Sequence, residues 1–347
     1  MTMPLLRKTL VTGLCALVLG MAATPAAQAQ DAAAFYKGKS VTVVIAFSAG
    51  GGYDLYARLL ARYMGKYIPG NPTVVPQNMP GAGTLKAAKY LYEVAPKDGT
   101  VFGIFSRSLP LGPVVGLPGA TFDARKFTWI GSMTQDVTMC ITSDKSGIKT
   151  WADALKTDFS VGGEGRGSDP DVFANVIKQV FKAKSKLVTG YPGSADIVLA
   201  IERGELGGLC GVSYSSVAGR WGEQLRSGKL NIIVQGGYQK HAALPDTPNM
   251  LDLASDAHQK ALMRLILAPQ AMARPFAAPP GVPADRAQAL RDAFAATLKD
   301  PELLAEAKKL QIDIEPMSAD AIQALLVEFY QAPKDIAAEA GKAFGLQ

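Results

Sequence analysis

The chain has 347 residues, of which 48% are hydrophobic and 19% charged, with a formal net charge of +6, three cysteines and two histidines. That length suffices for two domains with real hydrophobic cores. The basic residues are scattered with no run of five, which argues against nucleic-acid binding, and the sparse histidines have no close cysteine or carboxylate pairing, which argues against structural zinc.

Arg7 and Lys8 precede an apolar stretch, Leu10 to Met21, and Ala27-Gln28-Ala29 supplies small residues for cleavage. Residues 1–29 therefore read as a secretory signal peptide. Cys15 follows Leu14, where a lipobox wants a small residue. No later stretch offers about 20 uninterrupted apolar residues; the richest, Ala261 to Pro280, contains Arg264 and Arg274. The mature protein is expected to be exported and soluble, with a mild excess of positive charge that suits small anions.

Val41 to Phe47 reads as a buried strand, Asp54 to Met64 as an amphipathic helix, Thr73 to Gln77 as a strand, Leu85 to Val94 as a helix and Val101 to Phe105 as a strand. This alternation predicts a parallel sheet covered on both faces. A second series follows. It has strands at Val137 to Thr142, Phe159 to Gly162, Leu187 to Tyr191, Leu209 to Val212 and Leu230 to Gln235, with a capping box at Thr150 to Asp153 and a strongly amphipathic helix around Val172 to Phe181. From Pro283 the pattern is helical: Ala284 to Leu298, Pro301 to Leu310 and Ala319 to Tyr330.

Four glycine-rich stretches stand between strands and helices: Ser48 to Asp54, Asn78 to Thr84, Gly162 to Asp169 and Tyr191 to Asp196. Glycines before a helix N-terminus let an anion approach free backbone N–H groups without meeting a Cβ. Each loop alone could be a tight turn, but four together point to a binding cleft at the strand ends. No P-loop and no dinucleotide fingerprint is present.

Gly211-Val212-Ser213-Tyr214-Ser215 nearly matches a nucleophile elbow, and Asp246 or Asp252 with His258 would complete a hydrolase order. Against it, an elbow should run directly into a helix, and His258 lies in a polar stretch that reads as a solvated helix face. Arg107 and Arg166 could each grip a carboxylate, or be solvated loop residues. Tyr53 and Tyr191 could line a cleft or cover loop backbone, and Asp54 could serve as a first-turn helix residue. Cys140 and Cys210 permit one disulfide in an exported protein, and equally two buried thiols.

Taken in order, "VVIAFSAGGGYDLYARLLA", "VPQNMPGAGTLKAAKYLYEVAPKDGT", "GYPGSADIVLAIERGEL", "KHAALPDTPNM" and "FAAPPGVPADRAQALRDAF" resemble the substrate-binding receptors of tripartite tricarboxylate transporters, the Bug family of periplasmic proteins. The likeness runs over essentially all of the mature chain. It implies a type II periplasmic binding protein fold, α/β, with two domains (30–137 with 237–347, and 138–236) joined by two crossover strands around a ligand cleft. The crossovers would fall near Val137 to Thr142 and Leu230 to Gln235, and the C-terminal helices would return to domain one. A disulfide between Cys140 and Cys210, near the hinge side of domain two, becomes a reasonable expectation.

Family members typically hold carboxylates through backbone amides and ordered waters. The matching residues are Phe47, Ser48, Ala49, Gly50, Gly51, Tyr53 and Asp54 in one loop, Gly81, Ala82, Gly83 and Thr84 in a second, and Gly163, Arg166, Gly167 and Ser168 in the opposing loop. Ser106, Arg107, Tyr191 and Ser213 complete the candidate set. The sequence departs from the common pattern at Met79, Arg107, Glu164, Arg166, Asp169 and Pro192. The resemblance implies a monomeric periplasmic receptor of the Venus-flytrap type for a small organic anion, without catalysis, metal or cofactor, that docks transiently with membrane transporter subunits. The alternatives are a secreted serine hydrolase using Ser213 and a ligand sensor for a two-component kinase.

Overall fold

The structure, a computed structural model, describes residues 32–346; the leader read at 1–29, with Cys15, lies outside the described residues. Two sheets organise the chain. The first contains β1 (Ser40–Ile45), β2 (Thr73–Asn78), β3 (Val101–Ile104), β4 (Thr128–Ser132), β10 (Pro275–Ala278) and β11 (Met317–Ser318), in the order β11-β4-β10-β3-β1-β2. The second contains β5 (Thr138–Ser143), β6 (Phe159–Gly162), β7 (Ser185–Val188), β8 (Gly208–Ser213) and β9 (Leu230–Gly236), in the order β7-β6-β8-β5-β9.

The chain passes to the second sheet between β4 and β5 and returns after β9. Because β5 and β9 are antiparallel neighbours, both passages lie along one edge of the second lobe. That is the geometry of a hinge.

The expected parallel sheet is realised only for β1, β2 and β3. Strand β10 runs antiparallel between β3 and β4, and it lay hidden in the sequence as four residues of an apolar stretch. β4 was not anticipated either. The strand read at Leu187 to Tyr191 forms two residues earlier, as β7, since Gly190 and Tyr191 already turn to bond the Gly163 carbonyl.

Helix α1 (Gly52–Met64) buries Tyr56, Leu60 and Met64 at a spacing of four, and Ala57 and Ala61 beside them, so one stripe faces the sheet. The other helices used below are α2 (Leu85–Lys89), α3 (Asp169–Gln179), α4 (Ser194–Glu202), α5 (Tyr214–Arg226), α6 (Ala257–Leu267), α7 (Ala284–Thr297), α8 (Pro301–Lys309), α9 (Ala319–Tyr330) and α10 (Lys334–Ala343). Helix α2 continues as a wider π turn, Tyr90–Val94, instead of the uniform helix expected.

The expected capping box is present: Thr150 and Asp153 satisfy each other's backbone N–H groups. Helices α7, α8 and α9 pack on the first lobe, but α10 straddles both, lying against α6 and also against α3 of the second lobe, with Asn175 Nδ2 donating to the Ala343 carbonyl at 3.1 Å. Among the described residues no helix is long and apolar enough to cross a membrane.

Candidate functional site

Two arginines meet between the lobes, and topology brings them there. Arg107 follows β3, and Arg274 immediately precedes β10, which pairs antiparallel with β3; the start of one strand therefore lies beside the end of the other. Both side chains are fully buried. Arg107 Nη1 donates to Ser213 Oγ at 2.6 Å, and Arg274 Nη1 donates to the same oxygen at 3.0 Å. Arg274 Nη2 also donates to Ser215 Oγ at 3.2 Å and Ser216 Oγ at 2.8 Å, and the Tyr53 and Tyr56 rings lie 4.7 and 4.8 Å from its guanidinium carbon. At these distances both rings contribute cation–π attraction to the guanidinium.

Charge is not balanced there. Arg107 Nε lies 3.6 Å from an Asp169 oxygen, whereas Arg274 has no ion pair among the described residues. Asp136 reaches it only through Ser215, whose hydroxyl donates to Asp136 at 2.5 Å. Arg107 Nε, Arg107 Nη2 and Arg274 Nε have no hydrogen-bond partner. An uncompensated buried cation is costly. Burial works to pull the Arg107 guanidinium below its ordinary value, but Asp169, Tyr53 and Asp136 outweigh it and hold it raised and charged. Burial, then Asp169, pushes the Tyr53 phenol upward, so its hydroxyl stays a donor, to Asp169 at 2.8 Å. Ser108 Oγ donates to the other Asp169 oxygen at 2.5 Å.

The opposing wall owes its shape to a bulge. In the β5–β8 pairing Met139 faces Val212 and Cys140 faces Cys210, which leaves Gly211 as the extra residue. Its φ of +77° favours glycine, and a Cβ there would stand 2.3 Å from the Asp169 carbonyl. The bulge aims Ser213 at the arginines. Below it, the sulfurs of Cys140 and Cys210 lie 2.14 Å apart, a cross-strand bridge between β5 and β8.

The elbow reading fails on geometry. A helix does follow Ser213 directly, α5, contrary to expectation. However, Ser213 is hydrogen-bonded by two guanidiniums, which cannot take up a proton. His258, exposed on α6, pairs with Glu339 at 2.5 Å and makes no hydrogen bond to Ser213.

The predicted loops divide. Phe47 and Tyr53 stack at 4.1 Å and line the cavity between the lobes together with Gly52, Glu164, Asp169, Ser213, Ser216 and Arg274. Ser48 Oγ donates across the lobes to Asp196 at 2.6 Å. Gly50 and Gly51 approach Arg220 and Ser194 of the second lobe, and a Cβ on Gly52 would collide with Ser216 Oγ at 1.9 Å. Ala49 lies within this loop, exposed. Asp54 is committed elsewhere: burial opposes its ionisation, but Arg58, the Gly50 N–H and Asn78 hold its carboxyl below the usual range.

In the second loop Gly81, Ala82, Gly83 and Thr84 all have positive φ. Gly83 faces the second lobe, where a Cβ would stand 2.3 Å from the Arg166 carbonyl. Thr84 Oγ1 accepts from the Ser106 N–H at 3.2 Å, while Ser106 Oγ is buried without a partner. Gly163 packs on Asp171, Gly167 on Leu117 of the first lobe, and Ser168 caps α3. The structure does not bring Arg166 into the cleft; its exposed side chain runs along Gly345. Tyr191, half-buried, packs on the second lobe's own core.

Sequence reasoning missed Arg274, Ser215, Ser216 and Asp136. The available clue was a lone arginine in an otherwise apolar stretch. The cavity between the lobes measures about 20 Å³. That is room for roughly one water, so a larger ligand enters only when the lobes part and the arginine–Ser213 bonds break. Wider recesses of about 420 and 510 Å³, at the outer face of α4 and α5 and at the hinge, gather no pair of buried arginines.

Two α/β lobes, a hinge along one edge and a buried polar seam define the periplasmic binding protein fold. The chain superposes on BugD, a periplasmic binding protein, with a TM-score of 0.72 at 20% identity, covering 89% of this chain and 98% of that one. It superposes on MatC from Rhodopseudomonas palustris with bound malate with a TM-score of 0.69 at 20% identity, covering 86% and 99%. In sequence it is 25% identical over 320 residues to a UPF0065 protein of Cupriavidus necator, covering 86% of this chain and 85% of that protein. No protein-family model matches the chain. The resemblance to Bug-type receptors thus holds across nearly all of the described residues.

Proposed function

We propose that the protein is a periplasmic solute receptor of the Bug type. It captures a small organic anion bearing at least one carboxylate and delivers it to a tripartite tricarboxylate-type transporter. One lobe comprises residues 30–137 with 237–347, the other 138–236. The observation that carries this reading is the pair of buried arginines with unpartnered N–H groups, Arg274 making no ion pair among the described residues. A ligand carboxylate supplies the missing charge and accepts in the planar geometry a guanidinium offers. The malate bound by MatC, a protein of the same fold, supports the ligand class. Lobe closure would bury the anion and present a composite surface to the transporter. No covalent step is involved.

A thermal-shift screen of mono-, di- and tricarboxylates on the mature protein tests it. A ligand specific to the folded state adds about 2.7 kcal/mol at a hundredfold excess over its Kd. Selective upward shifts by acids support the receptor. A response to neutral solutes alone, or turnover of an ester that depends on Ser213, refutes it.

A further inference from the structure

One group lining the same cavity is not explained by anion capture. Glu164 is 8% exposed, and its Oε2 has no hydrogen-bond partner. Three neighbouring acids are each satisfied: Asp169 by Tyr53 and Ser108, Asp171 by Thr189 and the Gly165 N–H, and Asp196 by Ser48. Glu164 alone is without a donor. It forms no ion pair with Arg107 or Arg274, so those cations do not neutralise it. The cavity therefore carries the Arg274 guanidinium, whose Nε–H is unpartnered, with Arg107 behind Ser213, and, separately, a buried carboxyl with an unpartnered oxygen.

We propose that the cleft selects an acid that also carries a protonated amine, its carboxylate held by Arg107 and Arg274 and its ammonium read by Glu164. This rests on the receptor reading above and names the ligand class within it. A diacid without an amine leaves Glu164 buried and unsatisfied. An ammonium there gives the carboxyl a charge-assisted donor. It also offsets Asp169, Asp171 and Asp196, the charges that face Glu164 within its own lobe.

Burial, and after it those three acids, raises the Glu164 carboxyl well above the usual range, a shift toward the protonated form. An arriving ammonium favours the ionised form and expels that proton. Binding is then coupled to proton release, which a merely structural glutamate would not show.

Calorimetry of the mature protein with matched pairs tests the proposal: aspartate against succinate, glutamate against glutarate, alanine against propionate. Wild type is expected to prefer the amino member of at least one pair by about tenfold or more. It should release protons on binding that member, as read from buffers of different ionisation enthalpy. Glu164→Gln is expected to abolish the preference and the proton release. Equal affinity within every pair, no proton release in wild type, or a preference that survives Glu164→Gln overturns the inference and leaves the receptor standing. Failure of all six acids to bind wild type overturns this inference and also counts against the receptor reading. The wild-type preference within the pairs decides the matter even where the variant folds poorly.

Discussion

The two walls of the cleft are built on different principles. The first lobe presents its charge just beyond strand ends: Arg107 follows β3 and Arg274 precedes β10, and hydrogen bonds to serines of the second lobe hold both side chains. The second lobe presents its polar groups from three kinds of backbone: Glu164 on a glycine loop, Asp169 at the start of α3 and Ser213 at the end of β8, past the Gly211 bulge. On the proposed reading, the first wall supplies the charge that holds the ligand and the second sets selectivity.

Removing the covalent support of the second wall should have the largest effect. Replacing Cys140 and Cys210 together by serine releases a bridge with a sequence separation of 70. A loop of that length predicts a loss of about 4 kcal/mol in a denaturant titration of the oxidised protein. If stability is unchanged, the second wall does not depend on the staple.

Removing a charge from the first wall comes next. Arg274→Met should weaken binding of the preferred acid about a hundredfold, as expected for truncating one partner of a buried charge pair, about 3 kcal/mol. The fold should persist, because methionine fills the slot between Tyr53 and Tyr56. Arg107→Met should act similarly, with the added penalty of freeing Asp169.

A wedge between the walls should cost less. A side chain at Gly83 meets the Arg166 and Gly165 carbonyls and is strained at a φ of +59°. Gly83→Val is expected to lower affinity about tenfold and to abolish the ligand-induced contraction seen by small-angle scattering. Contraction equal to wild type would mean that the lobes close along another seam.

The smallest effect separates the walls by pH. Glu164 has a raised carboxyl in the folded state, so its contribution is fully favourable below the ordinary glutamate value and is lost as pH rises toward the raised one. Glu164→Gln should therefore match wild type in melting temperature near pH 4.5 and exceed it increasingly toward pH 8. The arginine wall has no counterpart, since guanidinium stays charged throughout.

How much of this was legible in sequence follows the same division. The strand-loop-helix units around Gly50 to Gly52 and Gly163 to Ser168 were visible, because glycine clusters and amphipathic spacing are local signals. Arg107 and Arg166 looked alike, as loop arginines near glycines; only packing shows that one is buried at a strand end and the other lies exposed along Gly345. Arg274 was invisible as a partner of Arg107 because an antiparallel pairing across a distant part of the chain unites them. Ser213 was noticed for the wrong chemistry: its flanking glycine makes a bulge, not an elbow that exposes a nucleophile. Glu164 stood out as a departure, but its isolation from every donor is a property of the folded cavity.

The most direct test of the account is isothermal calorimetry of the preferred acid against wild type, Arg274→Met and Arg166→Met. The account predicts saturable one-to-one binding to wild type, loss of about a hundredfold in affinity with Arg274→Met, and affinity within about twofold of wild type with Arg166→Met. Undiminished binding by Arg274→Met, with or without loss at Arg166→Met, would contradict the claim that buried guanidiniums between the lobes hold the ligand.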